Sequence, residues 1–300
     1  MRVVAIFGPT AVGKTGAAVE LAELLRGAGE DPVAVSCDAL QVYRGLEALT
    51  GAPSAAERER LEHRLVGIAA VTEEFSAGRF AELARAEIDE LLAAGRRPIV
   101  VGGTGLYLRA ALSKLELRPP VPAGVRERVE TEIADRGPQA VHAELEPALA
   151  ATVHPRDRKR IARAVELQRA GVEPPPPGGG ELWTARLRHP TLLIGLVCDR
   201  AELDVRIDTR VDALVAAGAA DEVRRAVAAE ASRTARAGLG FDELLRGDVE
   251  AMKREHRRYA RRQLTWMRKM RGVRLIERTG LTDDEVAREI VGLLDENEAA

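Results

Sequence analysis

Eight residues near the start of the chain, Gly8-Pro9-Thr10-Ala11-Val12-Gly13-Lys14-Thr15, follow the spacing G-x4-G-K-[ST]. The chemistry of that pattern is phosphate binding. Glycines let consecutive backbone N–H groups curl around an anion, the following helix adds the partial positive charge of its N-terminus, and the lysine adds a point charge. Thr15 is placed to offer its hydroxyl to Mg2+. Lysine is rare here: five positions among 45 basic residues, so Lys14 does not look like a random draw. A di- or triphosphate is expected at this loop. Three further groups could act beside it. Asp38 lies in Ser36-Cys-Asp-Ala-Leu-Gln-Val-Tyr43. A carboxylate repels phosphate, so its expected work is on a second substrate as a general base; a turn or helix cap is the plainer reading. Thr104, in Val100-Val-Gly-Gly-Thr-Gly-Leu-Tyr107, could give a hydroxyl to phosphate or metal, with Gly102, Gly103 and Gly105 allowing close approach, or could simply sit in a turn. Arg206 and Arg210 share one helix face, but Asp204, Asp208 and Asp212 repeat at the same spacing and could pair with them in solvent.

The elements that must position these groups follow from periodicity. Strand-like runs stand at Val3 to Phe7, Pro32 to Ser36, Pro98 to Val101 and Leu192 to Val197, with a weaker one at Val273 to Ile276. Helical spacing fills Gly16 to Arg26 and Phe80 to Ala94, so the order is βαβα, the pattern of a parallel sheet covered by helices. In such a sheet ligands lie beyond the carboxyl ends of the strands, which is where Gly8, Asp38 and Thr104 fall. Asp199-Arg-Ala-Glu202 reads as a capping box opening the helix of Arg206 and Arg210. From about Ser113 to Arg188 the sequence turns helical, polar and basic, and it ends in the connector Pro174-Pro-Pro-Pro-Gly-Gly-Gly180. The expected fold is α/β, a P-loop NTPase-like parallel sheet flanked by helices. A mainly helical domain at 113–189 is inserted between core segments 1–112 and 190–300.

The net charge of −2 conceals an uneven chain. Met252 to Arg274 holds ten basic residues and one acid, Glu255; His154 to Arg169 holds six basic and two acidic ones. On a helix at 100° per residue, Arg254, Arg257, Arg258, Arg261, Arg262, Arg268 and Lys269 form one face and Met252, Tyr259, Trp266 and Met270 the other. A second basic helix is expected to open at His154-Pro155, carrying Arg156, Lys159, Arg160 and Arg163. Two such stripes suit a row of phosphates, and they lack the large apolar residues a membrane surface would need. His63 and His154 stand alone and read as structural; Cys37 and Cys198 read as buried free thiols. With 46% hydrophobic residues and no apolar run near the roughly 20 of a transmembrane helix, a soluble cytoplasmic monomer is expected.

These motifs, in this order, resemble the bacterial tRNA dimethylallyltransferases (tRNA isopentenyltransferases). The resemblance is carried by Gly8 to Thr15, Asp38 to Gly45, Val101 to Tyr107, His154 to Asp157 with Arg160, Arg163 and Glu166, Asp199 to Leu203 with Arg206 and Arg210, and Arg261 to Arg268. It implies transfer of a dimethylallyl group from dimethylallyl diphosphate to N6 of the adenosine just 3′ of the anticodon, with Mg2+. The implied roles make Asp38 the base, with Lys14, Thr104 and Arg210 steadying the diphosphate and Thr15 on the metal. The tRNA anticodon stem-loop would meet Asp38, Ala39, Leu40, Gln41, Thr104, Arg126, Lys159, Arg160, Ile161, Ala162, Arg163, Arg257, Arg261, Arg262, Gln263, Trp266 and Arg268. Three places depart from the family pattern. Leu49-Thr-Gly-Ala-Pro53 lacks a lysine, Gly240-Phe-Asp242 has an acid where a base is usual, and the segment ending at Gly180 is shortened.

Two other functions share some of these features. A P-loop small-molecule kinase would use the loop and Asp38 but has no use for two arginine stripes. A nucleotide-switched RNA-binding protein would use loop and stripes but neither Asp38 nor Thr104.

Overall fold

The computed structural model describes residues 2–115, 121–122, 124–172, 184 and 186–299. The Pro174 to Gly180 connector therefore lies outside the described residues. Six parallel strands form one sheet in the order β3-β2-β4-β1-β5-β6: β1 Val3–Phe7, β2 Pro32–Ser36, β3 His63–Arg64, β4 Arg97–Gly102, β5 Thr191–Val197 and β6 Val273–Glu277. Every residue of β1 and β2 is buried, because helices cover both faces of a parallel sheet and its inner strands must be apolar throughout. The edge strand β6 buries only Ile276 fully, which is why its sequence signal is weak. Strand β3 was not legible: two residues carry no periodicity, and pairing with Ala34 and Val35 alone defines it.

Around the sheet in chain order lie α1 Lys14–Gly27, α2 Glu47–Thr50, α3 Ala55–Arg60, α4 Ala77–Ala93 and α5 Gly105–Leu112. The inserted segment supplies α6 Val125–Arg136, α7 Pro138–His142, α8 Pro147–Ala150 and α9 Arg158–Arg169. After β5 come α10 Arg200–Ala216, α11 Ala219–Ala228, α12 Arg233–Arg236, α13 Phe241–Leu245, α14 Val249–Lys269 and, beyond β6, α15 Asp283–Ala299. Local chemistry sets several starts. Ser76 caps α4 by accepting from Arg79 N–H, so this helix opens three residues before the apolar pattern becomes visible at Phe80. Asp199 caps α10 by accepting from Ala201 and Glu202 N–H. The expected capping box is only half made, since Glu202 bonds Arg206 and Gly280 N–H instead.

The chain divides into two compact units, 1–117 with 181–300, and 118–180. The helical unit is narrower than 113–189 because Ser113 N–H and Oγ both bond Arg109 O and Arg188 N–H bonds Leu112 O, fastening those residues to the sheet unit. Its own core includes Val125, Val129, Ile133, Val141, Leu145, Leu149, Ile161, Ala162, Ala164 and Val165. There α9 begins at Arg158, not at Pro155. His154 to Asp157 close a turn, and the Asp157 carboxylate caps the helix at Arg160 N–H, which removes Arg156 from the helical stripe.

Candidate active site

Register brings the chemistry together. Phe7 pairs with Gly102, and Ser36 with Val101, so β1, β2 and β4 end level and their next residues leave the same sheet edge side by side. The loop after β1 leads into α1, whose N-cap is Gly13 with no side-chain cap. Helix N–H groups left without a cap are an anion site in waiting. The arrangement narrows the eight loop residues to a working set. Pro9 has no N–H, Val12 N–H bonds Pro9 O at 3.4 Å and Thr10 N–H bonds Gln263 Oε1 at 2.8 Å. Ala11, Gly13, Lys14 and Thr15 N–H have no protein partner among the described residues. Ala11 also holds φ at 64°, a left-handed backbone that a non-glycine residue adopts only under constraint.

Lys14 Nζ donates to Pro9 O at 2.7 Å. Its pKa falls to about 7: burial is the main cause, the Arg210 charge adds to it, and Asp38 opposes it. Lys14, Arg210 and the Asp38 carboxylate therefore act on one another here. Arg210 feels the same competition, lowered by burial and raised by Asp38. Its Nη2 reaches Thr50 O and Gly51 O, each at 3.3 Å, at the carboxyl end of α2. The acids on its own helix do not pair with it. Asp208 pairs with Arg257 and Asp212 with Lys253 at 2.8 Å, while Arg206 takes Glu202 at 2.7 Å. This outcome overturns the solvent-pairing alternative for Arg210. Sequence reasoning missed Glu222, whose two oxygens accept from Ala48 and Leu49 N–H at 2.9 and 2.8 Å and so hold α2 in place. One acid on α11 gives no sequence signal for that role.

Asp38 makes the turn of the plainer reading. Its Oδ1 accepts from Leu40 N–H at 2.9 Å and Gln41 N–H at 3.4 Å, an Asx turn that fixes the carboxylate. Thr104 precedes α5 with its hydroxyl 3.3 Å from Tyr259 OH. Burial and the Asp38 charge raise the Tyr259 phenol to about 12, so it stays neutral and can donate. The neighbouring glycines allow close approach within the protein itself: a Cβ on Gly102 would strike the Cys37 carbonyl, and one on Gly103 the Gln263 amide.

Several residues expected at a tRNA surface face inward. Gln263 is 4% exposed, and its Nε2 donates to Gly103 O at 2.8 Å while its Oε1 holds Thr10, so it latches two loops together. Trp266 is half-buried over Gly105. Gln41 is held between Ser36 Oγ and Gly51 O, and Ala39 and Leu40 pack on the core. In the helical unit Ile161 and Ala162 are core residues, since α9 turns that side inward. Arg126 and Arg163 both bond the buried Glu166. Burial works against the Glu166 charge, and those two arginines outweigh it and lower its pKa. Lys159 and Arg160 remain exposed. On α14 the stripe is divided: Arg257 pairs with Asp208, Arg258 with Glu255 and Arg254 with Asp248 at 3.9 Å. Arg261, Arg262 and Arg268 are exposed and make no ion pair among the described residues. The acids missed in the linear reading come from α10 and from the cap of α14.

No group of three or more His, Cys, Asp or Glu among the described residues could hold a metal. The half-buried Thr15 hydroxyl at the start of α1 is an oxygen donor that would suit an ion held mostly by substrate oxygens and water.

The carboxyl edge of this α/β sheet thus carries an uncapped glycine-rich loop and a carboxylate fixed by its turn, whose charge acts on both Lys14 and Arg210. The sequence model of the IPP transferase family matches residues 41–270. A tRNA dimethylallyltransferase of Anaeromyxobacter sp. (strain K) is 42% identical over 290 residues, covering 91% of this chain and 92% of that one. One from Acetivibrio thermocellus is 37% identical over 299 residues, covering 95% and 94%. The crystal structure of a tRNA isopentenylpyrophosphate transferase from Bacillus halodurans superposes with a TM-score of 0.69 at 32% identity, covering 99% of this chain and 98% of that one. The chain belongs to the IPP transferase family.

Proposed function

We propose that this protein is a tRNA dimethylallyltransferase that moves the dimethylallyl group of dimethylallyl diphosphate onto N6 of the adenosine just 3′ of the anticodon. What supports the reading is that Asp38 leaves the same sheet edge as the glycine-rich loop and that its charge acts on both Lys14 and Arg210. A phosphate site alone has no need of that carboxylate.

In the reaction N6 attacks C1 of the dimethylallyl group, the C1–O bond breaks, and its electrons leave with the diphosphate. Negative charge grows on the leaving oxygen in the transition state, so donors fixed around it lower the barrier. Ala11, Gly13, Lys14 and Thr15 N–H supply that cradle, with Lys14 Nζ released from Pro9 O as the anion enters. Arg210, steadied by two backbone carbonyls, and the Thr104 hydroxyl complete the grip. Asp38, held by its turn, takes the N6 proton and leaves N6-(dimethylallyl)adenosine. Mg2+, bound through Thr15, would neutralise diphosphate charge. The adenine must leave its stack to enter such a site. Arg261, Arg262, Arg268, Lys159 and Arg160 offer exposed charge to tRNA phosphates. The test is Asp38→Asn: turnover should fall about 10²- to 10⁴-fold, the range of a lost general base. Its tRNA Kd should stay put, and equal loss of binding and rate would remove Asp38 from the base role.

A further inference from the structure

We propose that Arg278, which no part of the phosphate motif contains, is a positioning residue for the diphosphate loop. This inference rests on the loop binding a diphosphate. Arg278 follows β6 and is 2% exposed beneath the loop. Its backbone N–H bonds Val197 O at 2.9 Å and its carbonyl accepts from Leu281 N–H at 2.8 Å, so the residue is clamped at both ends of a tight turn. From there Nη1 donates to Val12 O at 2.7 Å and to Asp283 Oδ1 at 2.8 Å, and Nη2 donates to Leu281 O at 2.9 Å. Nε is buried with no partner among the described residues. A guanidinium kept dry at that cost is an odd choice for packing alone.

The geometry explains what it does. In a planar trans peptide the C=O and the next N–H point to opposite sides. Arg278 draws the Val12 carbonyl down beneath the loop, so the Gly13 N–H is turned up into the cradle. Without that bond the Val12 to Gly13 peptide could rotate and present a carbonyl oxygen to the anion, replacing a donor with a repulsive acceptor. Gly13 is required on two counts: φ is 89°, and a Cβ there would run into the Arg278 guanidinium. A Cβ on Gly16 would likewise meet the Asp283 carboxylate. The Arg278 and Asp283 pair thus occupies the space beneath the first turn of α1 that the glycines leave open, and Asp283 gains from lying in the first turn of α15.

Calorimetric binding of pyrophosphate, with steady-state KM values for dimethylallyl diphosphate and for tRNA, tests the role well below each variant's Tm. Arg278→Met keeps the stem and removes every donor. It should weaken pyrophosphate binding and raise donor KM by about ten-fold or more, leaving tRNA Kd within about two-fold. Arg278→Lys, which can still reach one acceptor, should fall between it and the native protein. A purely structural role would lower Tm with pyrophosphate affinity unchanged. A folded Arg278→Met, or Arg278→Lys if Met does not fold, that binds pyrophosphate as the native protein does would overturn the inference. Native protein that fails to bind pyrophosphate would instead overturn the diphosphate reading beneath it.

Discussion

At the scale of single residues, Lys14 makes the most distinctive prediction. In the free protein burial, then Arg210, holds its pKa to about 7, whereas a bound diphosphate favours the ammonium. Binding at pH 8 should therefore take up a proton, visible as a dependence of the calorimetric enthalpy on buffer ionisation. Affinity should weaken as pH rises through 7. Lys14→Arg, which stays charged, should lose the uptake and keep only the ligand's own titration; identical uptake in both would contradict the assignment. The stability sign follows from the same shift. A lysine whose folded pKa lies below its unfolded 10.5 binds fewer protons when folded, so stability of the free protein rises with pH between about 7 and 10.5. Lys14→Met should then stabilise most below pH 7, checked by Tm against pH. Residue types and spacing single out Lys14 and Asp38 because their chemistry is local to a motif. Arg278, Glu222 and the Gln263 latch escaped because their partners lie 266, 173 or 174, and 253 or 160 positions away.

At the scale of elements, α14 has two jobs on two faces. Inward, Tyr259, Gln263 and Trp266 meet Thr104, Gly103 and Gly105, so the helix sets the loop after β4. Outward, α10 and nearby acids neutralise its first half, while Arg261, Arg262 and Arg268 in the second half make no ion pair among the described residues. Replacing those three with Ala should therefore flatten the dependence of tRNA affinity on salt, by roughly one unit of log–log slope for each phosphate left without its arginine. Arg257→Ala should leave the slope nearly unchanged and cost about 1 kcal/mol or less of stability, since its partner Asp208 is 41% exposed. Equal slopes for the two variants would return the whole stripe to plain solubility. Helix periodicity predicted the amphipathic face correctly; it could not see which arginines a neighbouring helix would claim. The same limit placed the start of α9 three residues early, because Pro155 suits a first helical position but Asp157 makes the cap.

At the scale of the whole molecule, the alternation of apolar strands and helices was legible because inner strands of a parallel sheet are apolar on both faces. The two-residue β3 was not, and the insertion's limits moved inward because hydrogen bonds at Ser113 and Arg188 belong to the sheet unit. The helical unit should have its own weak point at Glu166. Glu166→Ala leaves Arg126 and Arg163 without their shared carboxylate, and should destabilise the unit by about 1–3 kcal/mol, read as faster proteolysis within 118–180. A carboxylate whose folded pKa is depressed stabilises above its unfolded pKa, and that contribution is lost as pH falls through the lower folded value. The native unit should loosen in acid and the variant should show less of that change. What the whole chain does is tested most directly by incubating unmodified tRNA with labelled dimethylallyl diphosphate and Mg2+. Label is expected in the adenosine just 3′ of the anticodon, with release of one diphosphate for each group transferred. Unlabelled tRNA, with phosphate released from ATP by the same protein, would contradict it.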